Sequence, residues 1–175
     1  ELPREPIPID LSDVTVRIDA ATAEWARDEA RKTGLPHNEA RDEFVDVVTY
    51  VVTERAIARI GRGWLTREDR HAWEQMRADV LNELEDHEQF AAALDELWPT
   101  LTPQNVLAQL YASHERLYAA GADDALWRAD GEAWTVSDVP LLDELVDLLG
   151  RDKVADAAAE RKHKIEEAYA AGVLD

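Results

Sequence analysis

The chain has 175 residues, no cysteine and a formal net charge of -19. That length suits one domain with a real core, and the missing cysteines exclude disulfides and thiolate metal sites. No apolar run reaches the roughly 20 residues needed to cross a bilayer, and no basic-then-apolar leader opens the chain, so a cytoplasmic location and no membrane partner are expected. The chain begins at Glu1 and its one methionine is Met76. It is therefore expected to be a domain excised from a longer polypeptide.

The fold class expected is mainly α, an irregular multi-helix domain with one or two short N-terminal strands. In residues 1–18, Ile7, Ile9 and Leu11 alternate, as do Val14, Val16 and Ile18, with Ser12-Asp13 as a turn. Asp19 is a suitable N-cap for a helix over 20–33, and Gly34 suits the position past its end. Trp25, Ala26 and Ala30 form its weak apolar face. A long helix is expected to about Ile60. The run VDVVTYVV has strand propensity, but the apolar pattern persists through Ile57 and Ile60.

Gly61-Arg62-Gly63 breaks that helix, and Thr66 with Asp69 resembles a capping box before a helix to about Asp86. A shorter helix over 87–98 is stopped by Pro99. Thr102-Pro103 is a strong helix start, and Leu101 is placed to staple to Val106. Short helical pieces are expected at Leu117-Tyr118 and 125–127. The stretch 134–150, WTVSDVPLLDELVDLLG, has the densest apolar stripe in the chain. Ser137 or Asp138 is its cap, and Gly150 its end. Leu141, Leu145 and Leu148 are expected to be buried, with Asp143 and Asp147 exposed. A last, alanine-rich helix is expected over 152–171. The organisation read from these elements is a strand lead-in over 1–18, a helical domain over 19–150 and a C-terminal helix over 151–175.

Charge is unevenly distributed. Residues 1–77 hold 16 acidic and 12 basic residues, whereas 78–150 hold 16 acidic residues against only Arg116 and Arg128. A block of that sign repels phosphate backbones and attracts basic surfaces. The alternative is that acidic helices serve solubility alone. Asp79, Glu83, Glu85, Asp86, Asp123, Asp124, Asp130 and Glu132 are the candidate partner-binding acids. Trp64 and Trp127, near breaks between helices, are the candidate aromatic anchors. Trp73 and Trp98 read as core.

Motifs for chemistry are sparse. There is no G-x-x-x-x-G-K-[ST], G-x-G-x-x-G or H-E-x-x-H. The sequence PLLDEL invites a Walker-B-like reading of Asp143 and Glu144, but Pro140 and the helical spacing oppose a strand. No catalytic, cofactor-binding or metal-ligating residue is assigned.

Three stretches carry a family resemblance. WTVSDVPLLDELVDLLG (134–150) resembles a signature of actinobacterial HelD-type proteins, UvrD-like superfamily 1 helicase relatives that associate with RNA polymerase. ARKTGLPHNEARDEF (30–44) and LDELWPTLTPQNVLAQLYAS (94–113) are similar to the same family. The resemblance covers roughly 18–150 and implies that this segment is a helical insertion in domain 1A, between the Walker A and Walker B motifs. Such an insertion enters the polymerase main channel, pushes on the clamp and helps displace nucleic acid. ATP and Mg²⁺ would belong to the parent's ATPase domains, whose motifs are not in this sequence. The expectation is thus a non-enzymatic domain that binds core RNA polymerase and its parent's ATPase domains, with no direct nucleic-acid contact. The alternatives are a stand-alone metal- or carboxylate-dependent hydrolase and a DNA-contacting helicase accessory domain.

Overall fold

The computed structural model describes residues 2–63, 65, 66 and 68–151. The expected helix over 152–171 and the candidate anchor Trp64 lie outside the described residues. Within them the fold is mainly α: one antiparallel hairpin followed by seven α-helices. These form two compact units. One comprises Glu1–Leu35 and Ala40–Pro99, and the other Pro36–Glu39 and Thr100–Asp175.

The first unit starts with β1 (Ile7–Asp10) and β2 (Thr15–Ile18), paired so that Ile9 faces Val16 and Ile7 faces Ile18. The period of two puts Ile9, Val16 and Ile18 in the core. Leu11 and Val14 exchange backbone hydrogen bonds across the turn. A two-stranded sheet has two edges, and here Arg55 and Arg59 donate to the carbonyls of Arg17 and Thr15.

Helix α1 (Ala20–Lys32) is capped as expected: Asp19 accepts from the Thr22 amide at 2.9 Å. Its buried face is Thr22, Ala23, Ala26 and Ala30, while Trp25 is 44% exposed. Small residues carry the contact, and the tryptophan lies outside it with its Nε1 on Glu29. Helix α2 (His37–Ile60) runs through the core of the unit. Ala40, Phe44, Val48, Val52 and Ala56 recur every four residues and are all buried. That single stripe is why the strand-prone valines form a helix: tertiary burial at period 3.6 overrides local propensity.

Helix α3 (Arg70–Glu85) begins later than the Thr66 cap implied. The Asp69 carboxylate reaches back to the Thr66 amide and hydroxyl, so the pair closes the turn before the helix. Val80 and Leu84 are buried, and Trp73 and Met76 pack partly against the core. Helix α4 (Glu88–Leu97) buries Phe90, Ala93, Leu94 and Leu97. Its cap is His87, which accepts from the Phe90 amide through Nδ1 and meets the Asp10 carbonyl through Nε2. Trp98 is buried against Phe44, ring centroids 5.3 Å apart.

The second unit contains α5 (Pro103–Tyr111), α6 (His114–Ala119) and α7 (Val139–Leu149), with 3-10 turns at Asp124–Leu126 and Val136–Asp138. Thr102 caps α5 with Pro103 in its first turn. Leu107, Tyr111 and Leu117 form the core, with Leu142 and Leu145 packed on it. Asn38 is buried and bonds the Leu101 amide and carbonyl and the Gly150 carbonyl. Gly150 has φ +72, and a Cβ there would meet Pro36 Cβ at 2.6 Å.

Helix α7 corrects two expectations. Leu141 and Leu148 are exposed, at 47% and 60%, Leu145 is half-buried, and Leu149 is the buried leucine. Asp143 and Asp147 are exposed as expected. The apolar arc spans about half the helix circumference at the helical repeat, so its edges lie beyond the contact. Of the two cap candidates, Ser137 is exposed and Asp138 holds the N-cap position; its carboxylate makes no bond to the helix amides and accepts from the Thr135 amide and hydroxyl instead.

Candidate partner-binding surfaces

The first acidic surface is built by the last turns of α3. Asp79, Glu83 and Asp86 fall at i, i+4 and i+7, so they share one side of the helix. Glu85 lies on another flank. Asp79, Glu85 and Asp86 are exposed. Glu83 is half-buried and not a free surface acid. Its Oε1 accepts from the Ser12 amide at 2.6 Å and the Ser12 hydroxyl at 2.8 Å. That bond ties the hairpin turn to α3 and brings Asp13 to the same side, a neighbour 66 positions from Asp79 that no local pattern indicates.

The second surface is the segment between α6 and α7. Asp123, Asp124, Asp130 and Glu132 are all exposed. Two of them also hold the backbone, and a third holds a side chain. Asp123 accepts from the Ala125 amide at 2.9 Å, Asp130 from the Glu132 amide at 3.0 Å, and Asp124 contacts Nδ1 of His114. Trp127 is 41% exposed, and His114 stacks on it with ring centroids 4.8 Å apart and an interplanar angle of 9°. Tyr118, at 88%, and Trp134 add exposed aromatic area that the sequence pattern did not single out.

Beneath this segment lies a buried ionic clamp. Asp138 is 2% exposed. Arg128 donates to both of its oxygens at 2.8 Å, Tyr111 donates its hydroxyl at 2.8 Å, and Thr135 donates twice more. The Arg128 guanidinium also covers the Tyr111 ring at 4.1 Å. This guanidinium, bonded to both oxygens, holds the Asp138 carboxyl well below the usual carboxylate range against the opposing effect of burial. Burial, followed by the bond to Asp138, pushes the Tyr111 hydroxyl up. The sequence offered Asp138 only as a cap. Its partners lie 10 and 27 residues away, where helical spacing gives no signal.

The clamp sets the charge of the surface above it. Of the two arginines in 78–150, Arg128 is neutralised by Asp138, and Arg116 is turned onto the Gln109 amide oxygen. No arginine or lysine pairs with Asp79, Glu85, Asp86, Asp123, Asp124, Asp130 or Glu132 among the described residues. Asp143 and Glu144 lie exposed on α7. Among the described residues no three His, Asp or Glu side chains converge closely enough to hold a metal ion. No described helix is long and apolar enough to cross a membrane.

No protein-family model matches this chain, and no curated protein is significantly similar to it.

Proposed function

We propose that this chain binds a basic protein surface through its acidic helices and loops, and that the partner is core RNA polymerase, engaged by the helical insertion of a HelD-type ATPase. The observation that carries the reading is the fate of the two cations in 78–150. One is consumed in the Asp138 clamp and the other points at an amide oxygen. On each of the two surfaces the exposed acids are thereby left to act on a partner. The field of each attracts cationic protein and repels nucleic-acid backbones. The role is to bind and wedge, and no chemistry is assigned to the chain's own residues. The three stretches similar to HelD-type proteins supply the identity of the partner. ATP and Mg²⁺ would be bound by the parent's other domains.

The test is capture of core RNA polymerase by the immobilised 175-residue chain across a salt series. Binding at low salt that weakens as ionic strength rises is expected. Absence of binding at every salt concentration would overturn the proposal. Tight, salt-sensitive DNA binding would favour a nucleic-acid contact instead. Nucleotide or ester turnover abolished by Asp143→Asn or Glu144→Gln would favour the hydrolase reading.

A further inference from the structure

A groove of about 320 Å³ opens in the first unit between the hairpin turn, the end of α2 and one side of α3. Ile60, Met76 and Val80 line its apolar part, and Asp13, Asp79 and Glu83 its acidic part. We propose that this groove seats a single arginine or lysine side chain from a basic protein partner, with the aliphatic stem on the apolar wall and the cation among the carboxylates. The assignment rests on the partner-binding reading above and specifies what one part of that surface recognises.

The chemistry favours this occupant over others. Arginine and lysine are the side chains that combine a long apolar stem with a cationic head, and the groove has the matching division. The carboxylates come from two separate elements, and one is prepositioned. Ser12 directs both of its donors to Oε1 of Glu83, leaving Oε2 unengaged among the described residues. Asp13 and Asp79 have no arginine or lysine partner among the described residues. On α2 and α3, by contrast, Glu54 is already paired with Arg77. The three carboxylates are not close enough together to form a metal site. A guanidinium or ammonium group carries several N–H donors, which separated carboxylate acceptors can share.

The chain carries its own reporter, because Met76 in the groove wall is its one methionine. The full chain, labelled at the methionine methyl group with ¹³C, is titrated at low salt with the blocked tripeptide Ac-Gly-Arg-Gly-NH₂. The norleucine peptide Ac-Gly-Nle-Gly-NH₂ is titrated in parallel. A saturable Met76 methyl shift with the arginine peptide, and none with norleucine at the same concentrations, is expected. Asp13→Asn with Asp79→Asn should weaken the arginine peptide about fivefold, as for two exposed ion pairs. No shift, equal shifts with both peptides, or unchanged affinity in the double variant would overturn the proposal. So would a shift that follows chain concentration without peptide, which would assign the groove to a second copy. Polymerase capture on the same double variant separates the two proposals. Wild-type capture by a variant that has lost the peptide means that the groove is not used on polymerase. An arginine-specific shift in a chain that never captures polymerase keeps the groove and removes that partner.

Discussion

Arg128 and Asp138 form a bidentate pair, both contacts at 2.8 Å, with the carboxylate almost wholly removed from solvent. Tyr111 and Thr135 fill its remaining acceptor positions. A buried carboxylate satisfied this fully is costly to disturb on one side, because the partner charge is then left uncompensated. Asp138→Ala should therefore lower the melting temperature of the second unit by roughly 10 °C or more. Ser137→Ala, one residue away on an exposed position, should leave it within about 2 °C. Thermal scans of both variants check this contrast.

The same pair sets an acid limb. In the unfolded chain Asp138 titrates near its ordinary 3.8, and in the folded chain well below it. As pH falls, the unfolded chain takes up the proton first. The stability supplied by the clamp is therefore complete above the unfolded value. It erodes as pH drops below about 4 toward the folded value. Urea unfolding at pH 7, 5, 4 and 3 should show wild type losing stability across the last steps. Asp138→Asn should be less stable at pH 7 and flatter below 4.

Gly150 should not accept a side chain. Its φ is +72, and an added Cβ would approach Pro36 Cβ at 2.6 Å and Glu39 Oε1 at 2.8 Å. Gly150→Ala is expected to destabilise by more than about 1 kcal/mol, combining backbone strain with displacement of the 36–39 turn. Gly34→Ala is the control. It has positive φ but open space around it, so strain acts there alone and the loss should be smaller.

On α7, Leu149→Ala should cost about 2–4 kcal/mol as a buried deletion. Leu148→Ala should stay within about 0.5 kcal/mol for the isolated chain. Chemical denaturation distinguishes them. The result matters because sequence pattern alone puts both leucines on the apolar stripe and Leu148 among its buried residues, whereas Leu149 is the buried one. Leu141 and Leu148 recur at seven residues, a pattern that ordinarily marks a buried seam, and here they lie on the rim of a wide apolar arc.

For binding, neutralising Asp79, Glu85 and Asp86 to Asn, Gln and Asn should slow association with polymerase about tenfold at low salt, with little change in dissociation. Glu83 is left intact in that variant because Ser12 depends on it. Surface plasmon resonance over a salt series reads both rates. Association unchanged by this variant would leave the α3 acids with a solubility role.

Local chemistry was legible wherever one residue decides the outcome. Asp19 caps α1, Thr102 and Pro103 start α5, and Gly34 and Gly150 adopt positive φ past helix ends. The alternation of Ile7, Ile9, Val16 and Ile18 was enough to give the hairpin. What failed to show is whatever depends on a distant partner. Trp25 is apolar and falls on the expected face, yet the buried positions of α1 are Thr22 and three alanines, and Trp25 stays 44% exposed. His87 caps α4 with an imidazole, outside the usual capping set. Glu83 reads as one acid among sixteen until the hairpin turn reaches it, and the Asp138 clamp joins residues from three stretches of chain.

Asn38 imposes an order on biosynthesis. Its amide sits in the first turn of α2, yet its partners are 63 residues ahead at Leu101 and 112 ahead at Gly150. A ribosome must finish α7 before that turn can be completed. Until then, the start of the longest helix is a nascent end with a polar group that cannot yet be buried. The loop closed at that moment is among the longest in the molecule, and such closures are slow. The hairpin, α1 and the body of α2 can assemble while the chain emerges. The 36–39 turn is completed last, so a cut between Leu101 and Gly150 would leave Asn38 its two bonds to Leu101 and remove the third.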